Sequence, residues 1–328
     1  MSSPSLAARV LLISLPSVFG CASASNGPAG QDPAAGPDGA AEGIPVALDE
    51  RSLVWNPDQN QDHRKLGVVL ADLDGKLRTW QRAVLGGGGA GLDANQVKDI
   101  EIHIAHDAQK YMDQLMDQLV AGPQNNRRVS AAALGFTRSE RALPPLLSAL
   151  VDPDPEVISN ALLSLGTLGV KDTPLSSIAA LMNEHDRPSV RTNAGRALRA
   201  LLPLTSDTGD REEVRAAARR GLGDEEAGVR MYSLLLLAEL IDFESLDRMA
   251  FALDDKTPLV AKAASRGIAY IGSERQESFG QAARALVAGL GRVDRDAVRP
   301  TVERDLQALG QRNYKDMDDW LEWANRLP

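Results

Sequence analysis

A three-position pattern of valine, small residue and apolar residue recurs along the second half of the chain. The positions are four residues apart, so they lie on one face of an α-helix. The complete copies are Val157, Ala161 and Leu165; Val190, Ala194 and Leu198; Val229, Ser233 and Leu237; and Val260, Ala264 and Ile268. A weaker copy comprises Val298, Val302 and Leu306, and an opening copy has Val129 and Ala133, with Thr137 interrupting its third position.

A second apolar segment follows these helices, and turns rich in acidic residues or proline precede them. The second segments are clearest at 141–150, 174–182 and 244–253, and the turns at DPDPEV (152–157) and HDRPSV (185–190). Successive valines of the pattern are 28, 33, 39, 31 and 38 residues apart, the length of a two-helix unit. One such unit cannot bury its apolar faces alone, so the units must stack. The sequence therefore predicts an all-α fold, an α-solenoid of about six helix pairs over residues 123–312.

Residues 58–122 predict a helical hairpin that caps this solenoid. The first helix has apolar residues at alternating spacings of four and three from Leu66 to Val84, which gives it one apolar face. The stretch GGGGAG (86–91) separates it from a second helix and lacks the Lys of a phosphate-binding loop. Asp93 and Gln96 predict a capping box at the start of the second helix, and Gly122 before a proline predicts its end.

The C-terminal residues 313–328 predict a short helix with Trp320 and Trp323 on one face. Together with Tyr314, these side chains would cover the apolar face that the last repeat leaves open, so we interpret the segment as a cap. Because tryptophan is enriched at binding hot spots, the alternative is that Trp320 and Trp323 contact a partner.

The repeats resemble the HEAT-repeat superfamily, in particular the short bacterial HEAT-like repeats, and are also similar to those of bilin lyases. The segments AAALGF (131–136) and DPDPEVISNALLSLGTLG (152–169) carry this resemblance, which covers about residues 125–310. It implies an armadillo-type solenoid with a groove lined by successive second helices, which suits an extended protein partner. We expect a monomeric, non-enzymatic scaffold that binds another protein or an extended peptide. The alternative is a HEAT-like lyase or a metal-dependent accessory enzyme.

The first residues resemble the leader of a bacterial lipoprotein. Arg9 precedes the apolar run 10–19, which is too short to span a bilayer but fits the core of a secretory signal. The run ends in VFGC (18–21), an arrangement similar to a lipobox, and Cys21 is the only cysteine in the chain. The resemblance implies a signal peptide at 1–20 and lipidation of Cys21. The alternative is a secreted or periplasmic protein whose leader is cut after residue 22 or 24.

Residues 21–57 are then expected to be a lipidated N-terminus and a tether. The stretch 22–43 is dense in Gly, Pro and Ala, and it lacks the apolar surface that would offset the entropy of ordering. A disordered tether suits a folded domain held away from a membrane. We expect attachment to the bacterial cell envelope through a lipid anchor. Ala22, rather than Asp, follows Cys21, and the resemblance to lipoproteins then implies the outer membrane if the cell has one.

The net charge of the chain limits its partners. At a formal charge of −9 the protein repels the nucleic-acid backbone, so no nucleic-acid partner is expected. Arg211, Arg215 and Arg219 nevertheless form a cationic stripe on the second helix of one repeat. We interpret this stripe as a solvated face paired with the neighbouring Glu212 and Glu213. The alternative is that the three arginines contact an acidic protein partner.

His103 and His106 are spaced so that two imidazoles on a helix could bind one metal ion. However, His106 lies opposite the apolar stripe of its helix, and a nearby third ligand could only be a carboxylate such as Asp107. We therefore interpret both histidines as solvated, and we expect no metal, no cofactor and no catalytic residue.

Overall fold

The computed structural model describes residues 57–85, 91–171, 173–292 and 297–328. The leader, Cys21 and most of the tether lie outside the described residues, as does most of the Gly-rich connection at 86–91. Over the described ranges the chain forms fifteen α-helices and no strand. None of these helices is both long enough and apolar enough to cross a membrane.

The helices form two layers. The first layer contains α1 (Pro57–Leu85), α4 (Gln124–Leu134), α6 (Pro155–Leu168), α8 (Pro188–Leu201), α10 (Ala227–Glu239), α12 (Pro258–Glu274) and α14 (Arg299–Gly310). The second layer contains α2 (Ala94–Lys110), α3 (Met112–Ala121), α5 (Leu143–Ser148), α7 (Ser176–Glu184), α9 (Thr208–Gly221), α11 (Leu246–Phe251), α13 (Phe279–Arg292) and α15 (Met317–Asn325). The predicted α-solenoid is confirmed, with six consecutive helix pairs from α4–α5 to α14–α15.

The recurring pattern forms the core of the first layer. Its valines and small residues are fully buried in each complete copy, because they face the second layer and the neighbouring first-layer helices. The interrupted first copy also has a physical explanation. Helix α4 ends at Leu134, and Thr137 folds back so that its buried hydroxyl donates to the Leu134 carbonyl at 2.7 Å.

The N-terminal hairpin extends both layers. Helix α1 packs on α4 in the first layer, and α2 and α3 continue the second. The predicted capping box is present, since the Asp93 side chain accepts from Gln96 N and the Gln96 side chain accepts from Asp93 N, both at 2.9 Å. The second helix is not continuous as the sequence suggested, because the backbone leaves helical geometry at Tyr111 (φ −109°, ψ 20°).

An arginine–aspartate ladder connects successive first-layer helices. Each guanidinium binds both carboxylate oxygens of an aspartate in the turn before the next first-layer helix, with N–O distances of 2.7–3.1 Å. Charge-assisted bidentate contacts of this kind are stronger than neutral hydrogen bonds. The three rungs are Arg127 with Asp152, Arg191 with Asp224, and Arg230 with Asp255. Beside the first rung, Arg128 also contacts both carboxylate oxygens of Asp154.

Each rung also organises the backbone of the turns. Every ladder aspartate accepts a hydrogen bond from the backbone N–H two residues later, at 2.8 Å in each case. Arg230 in turn donates to the carbonyls of Asp224 and Glu225, in the turn before its own helix. Burial raises the pKa of Asp255, but hydrogen bonds from Arg230 and the Thr257 N–H outweigh it, so the pKa lies below its usual value.

The ladder is interrupted between α6 and α8. The position after the pattern valine, where Arg191 and Arg230 stand in their own helices, is occupied by buried Ile158. His185 occupies the position of the ladder aspartate, and its Nδ1 accepts the Arg187 N–H at 3.0 Å. Helices α6 and α8 therefore meet without an ion pair and depend on apolar packing.

Replacing Arg191 tests the contribution of the ladder. Its side chain is 8% exposed and that of Asp224 is 13% exposed. Removal of one partner from a buried pair leaves the other charge uncompensated, so Arg191→Ala should lower the free energy of unfolding by about 3 kcal/mol in urea titrations. Arg187→Ala removes the same charge from an exposed side chain and should change it by less than about 0.5 kcal/mol. Equal effects of the two substitutions would contradict a structural role for the ladder.

Candidate functional site

The predicted cationic stripe lies on α9, and all three arginines are engaged within the chain. Helix α9 begins where the Asp207 side chain accepts the Asp210 N–H at 2.8 Å. Arg211 donates to the Leu202 carbonyl at 3.3 Å, on the side facing α8. Arg215 and Arg219 instead face the loop that follows α10, so the structure brings these two together and leaves Arg211 apart.

Arg219 and Asp242 form the centre of this arrangement. The guanidinium of Arg219 contacts both carboxylate oxygens of Asp242, with Nε at 2.8 Å from Oδ2, and also binds Glu244 at 2.7 Å. Hydrogen bonding to Asp242 raises the pKa of Arg219 above its usual value. Arg215 pairs with Glu212, and its Nε lies 3.5 Å from Asp242 Oδ1.

Asp242 is held in place by its surroundings. Its side chain is only 4% exposed, and the Ser245 hydroxyl donates to its Oδ2 at 2.5 Å. Burial raises the pKa of Asp242. The hydrogen bonds from Arg219 and Ser245 and the charges of Arg219 and Arg215 outweigh it, so the pKa lies below its usual value.

The turn that presents Asp242 is strained. Ile241 adopts a left-handed conformation (φ 50°), and its N–H bonds to the Ala238 carbonyl, while the Asp242 N–H bonds to the Leu237 carbonyl. This is a helix-ending motif in which glycine usually occupies the left-handed position. A side chain there costs about 1–2 kcal/mol. The turn is nevertheless retained and directs Asp242 towards α9.

An open cavity of about 620 Å³ lies between α9, the end of α10 and the end of α12. We call it the α9–α12 cavity. On the side opposite the arginines of α9, the guanidinium of Arg275 lies 3.7 Å from the ring centroid of Phe243, a cation–π contact. Four carboxylates and three guanidinium groups line the cavity. An acidic partner would therefore have to displace carboxylates that already bind the arginines.

The predicted C-terminal aromatic residues lie at the last helix pair. Trp320 and Trp323 are 2% and 9% exposed and meet edge to face, with ring centroids 5.5 Å apart. Tyr314 and Phe279 extend this aromatic cluster, and a Cβ on Gly310 would lie 2.9 Å from the Trp323 ring. Helix α15 is the second helix of the sixth pair, and its tryptophans cover the end of the core. Their burial leaves little surface for a partner.

The histidines predicted to be solvated are exposed on α2. His103 Nδ1 lies 2.7 Å from the Asp99 carbonyl oxygen. Across the part of the chain that the structure describes, no three or more His, Cys, Asp or Glu side chains are placed to hold a metal ion.

Sequence reasoning missed two exposed phenylalanines, one of which, Phe243, lines the cavity. Phe243 is 36% exposed and lies three residues before α11, and Phe251 is 77% exposed and is the last residue of α11. With exposed Asp247 midway between them, the spacing of four residues places the three on one side of the segment. We call these three residues the α11 surface. The sequence does show the two phenylalanines, but only the burial of the intervening leucine and methionine distinguishes the outer face.

Comparison with known proteins agrees with the repeat architecture. Residues 112–199 match the family model of HEAT repeats. The matched segment runs from α3 into α8, so the chain contains a HEAT-like repeat domain. A search of the curated proteins gave no match.

Several solved structures are similar at low identity. One is a designed armadillo repeat protein, with 21% identity, a TM-score of 0.46 and coverage of 60% of this chain and 98% of the other. A second designed armadillo repeat protein, solved in complex with the peptide (KR)4, has 20% identity, a TM-score of 0.48 and the same coverage. An engineered protein has 16% identity, a TM-score of 0.46 and coverage of 72% of this chain and 68% of the other.

The buried Asp242 should make stability depend on acid pH. Its pKa is lower in the folded chain than in the unfolded chain, so its stabilisation is complete above the ordinary carboxyl range and is lost as pH falls through the folded-state pKa. We expect Asp242→Asn to cost about 2 kcal/mol at pH 7. The difference from wild type should disappear near the acid end of urea titrations repeated across pH. Asp117→Asn, on an exposed side chain of α3, should follow wild type at every pH, and a constant deficit in Asp242→Asn would contradict this assignment.

Proposed function

We propose that this chain is a non-enzymatic scaffold of the bacterial cell envelope that binds another protein through the α11 surface. The observation that carries the proposal is the exposure of Phe243, which lines the α9–α12 cavity, and of Phe251, eight residues further along the chain. Large aromatic side chains supply much of the energy at protein interfaces, where they enter pockets on the partner.

The surroundings of the α11 surface suit such a contact. Arg275 stacks on Phe243 and so fixes the orientation of the ring. The ring then presents an apolar edge that is surrounded by polar groups. Of the aromatic side chains of the last two helix pairs, Trp320 and Trp323 are buried, and Phe279 and Tyr314 are half-buried. A rigid framework of stacked helix pairs that presents a few exposed aromatic residues is typical of repeat proteins that bind other proteins.

Site-specific crosslinking tests this proposal. A photo-reactive amino acid at position 251 should give one discrete protein adduct in intact cells. The same amino acid at position 151 should give none, because Val151 is equally accessible at 87% exposure but belongs to another helix pair. Once the partner is identified, Phe251→Ser should weaken its binding about thirty-fold, as for a hot-spot side chain. Identical adduct patterns at the two positions, or unchanged affinity, would contradict binding through the α11 surface.

We also propose that the scaffold is held in the envelope by a lipid on Cys21. The proposal rests on the lipobox-like VFGC segment at 18–21 and on the Gly-, Pro- and Ala-rich stretch that follows it. Such a stretch allows a folded domain to reach partners away from the membrane surface.

Replacing Cys21 tests the anchor without altering the described helices. Cys21→Ala removes the thiol that would carry the lipid, so the protein should move from the membrane fraction to the soluble fraction of the envelope. Ser23→Ala is a matched control that keeps the thiol and should stay with the membranes. Cys21→Ala protein that still sediments with membranes would rule out lipidation as the cause of attachment.

A further inference from the structure

A second cavity, of about 430 Å³, lies where the hairpin meets the first helix pair. It is bounded by α2, by the turn after α4 and by the end of α6. Its apolar side is formed by Ile102, Ala105 and Phe136, and Ile102 is 56% exposed although it is a large aliphatic residue. A volume of this size accommodates one or two side chains of a ligand. We call this space the junction cavity.

The junction cavity is bordered by basic side chains that have no partner among the described residues. Lys98, His106 and Arg138 all line it, and none of their side chains makes an ion pair or hydrogen bond to any of the described residues. The one acidic residue among the lining residues is Glu101, which accepts the Trp80 indole N–H at 2.8 Å. In the α9–α12 cavity, by contrast, the arginines are already bound by carboxylates.

The apolar side of the junction cavity is preorganised. Glu101 fixes the Trp80 indole, and Trp80 meets Phe136 edge to face with ring centroids 5.1 Å apart. Phe136 is therefore held between the hairpin and the first helix pair. A ligand that binds against this ring need not order it, which reduces the entropic cost of binding.

The turn that presents Arg138 is also fixed. Arg138 adopts a left-handed conformation (φ 53°), which residues with a side chain rarely occupy. The adjacent Thr137 is bound on both sides, because its hydroxyl donates to the Leu134 carbonyl and its carbonyl accepts from the Gln109 side chain at 3.3 Å. The strained conformation is thus imposed by contacts between α2 and the turn. Strain retained in this way is frequent at ligand sites.

We propose that the junction cavity binds an acidic peptide segment of a partner protein, with an apolar side chain against Phe136 and neighbouring carboxylates on Lys98 and Arg138. The local charge around the cavity, rather than the charge of the whole chain, supports this choice. At −9 the protein repels an acidic partner over most of its surface, so unpaired cations around an apolar cavity fix where such a partner binds. This site goes beyond the α11 surface, since it lies at the first helix pair, three pairs away from α11, and selects a different chemistry.

Fluorescence anisotropy with defined peptides tests the proposal on the full chain. The probe is a labelled peptide of sequence GLDELDELDG, compared with the amide analogue GLNQLNQLNG, which has the same shape and no side-chain charge. We expect the acidic peptide to bind at least about ten-fold more tightly, because each carboxylate gains a charge-assisted contact. Equal binding of the two peptides, or no binding of the acidic one, would overturn the proposal.

Substitutions then locate the site. Lys98→Glu and Arg138→Asn should each weaken binding about ten-fold or more, and asparagine tolerates the left-handed backbone at position 138. Ile102→Ser tests the apolar side and should also weaken binding. Lys171→Glu makes the same charge change as Lys98→Glu on an exposed residue outside the cavity, and should leave affinity unchanged. Equal weakening by Lys171→Glu would mean that only overall charge matters, and would overturn the proposal. None of these residues belongs to the α11 surface, so a negative result here leaves the crosslinking result at position 251 unaffected.

Discussion

The close approach of first-layer helices is the constraint on which the rest of the structure depends. Small residues make it possible: a Cβ on Gly195 would lie 2.8 Å from the Cβ of Tyr232, and one on Gly228 would lie 2.7 Å from the Thr192 side chain. At these separations α8 and α10 can only meet if one side carries no side chain. The approach also places successive turns side by side, and this is what brings each ladder arginine within reach of its aspartate. The ion pairs therefore follow from the apolar packing and fix its register.

The interruption between α6 and α8 shows that apolar packing of the helices does not require the ion pairs of the ladder. Ile158 and His185 replace the charged partners there, yet the helices remain closely packed, with a Cβ on Gly166 3.4 Å from the Cα of Ala197. Apolar burial stabilises by about 25 cal/mol per Å², whereas a buried ion pair gains little over well-packed apolar residues. Packing alone can thus hold two pairs together. The ladder contributes mainly to geometry, because the hydrogen bonds of its arginines hold two turns and a helix in a fixed arrangement.

The apolar pattern was sufficient to predict the solenoid, its six helix pairs and the preceding hairpin, because helix periodicity is a local property of the sequence. The ladder was not predicted, since its partners are 25–33 residues apart and meet only after the helices stack. The same reason limits prediction of the sites. The spacing of Arg215 and Arg219 placed them on one helix face, but Asp242 and Glu244, which bind Arg219, come from the turn that follows the strained Ile241. The break at Tyr111 has no proline or glycine to announce it.

The two cavities differ in whether their cationic side chains already contact carboxylates within the chain. Arg219 contacts two carboxylates within the chain, so any ligand must first displace an existing pair. Arg138 and Lys98 lack such partners among the described residues, and their charges remain available to a ligand at no cost in broken contacts. A positive stripe in the sequence therefore identified the cations that stabilise the fold. The cations of the proposed junction site, Lys98 and Arg138, are far apart in the sequence, on α2 and on the turn after α4. Only folding brings them around one apolar surface.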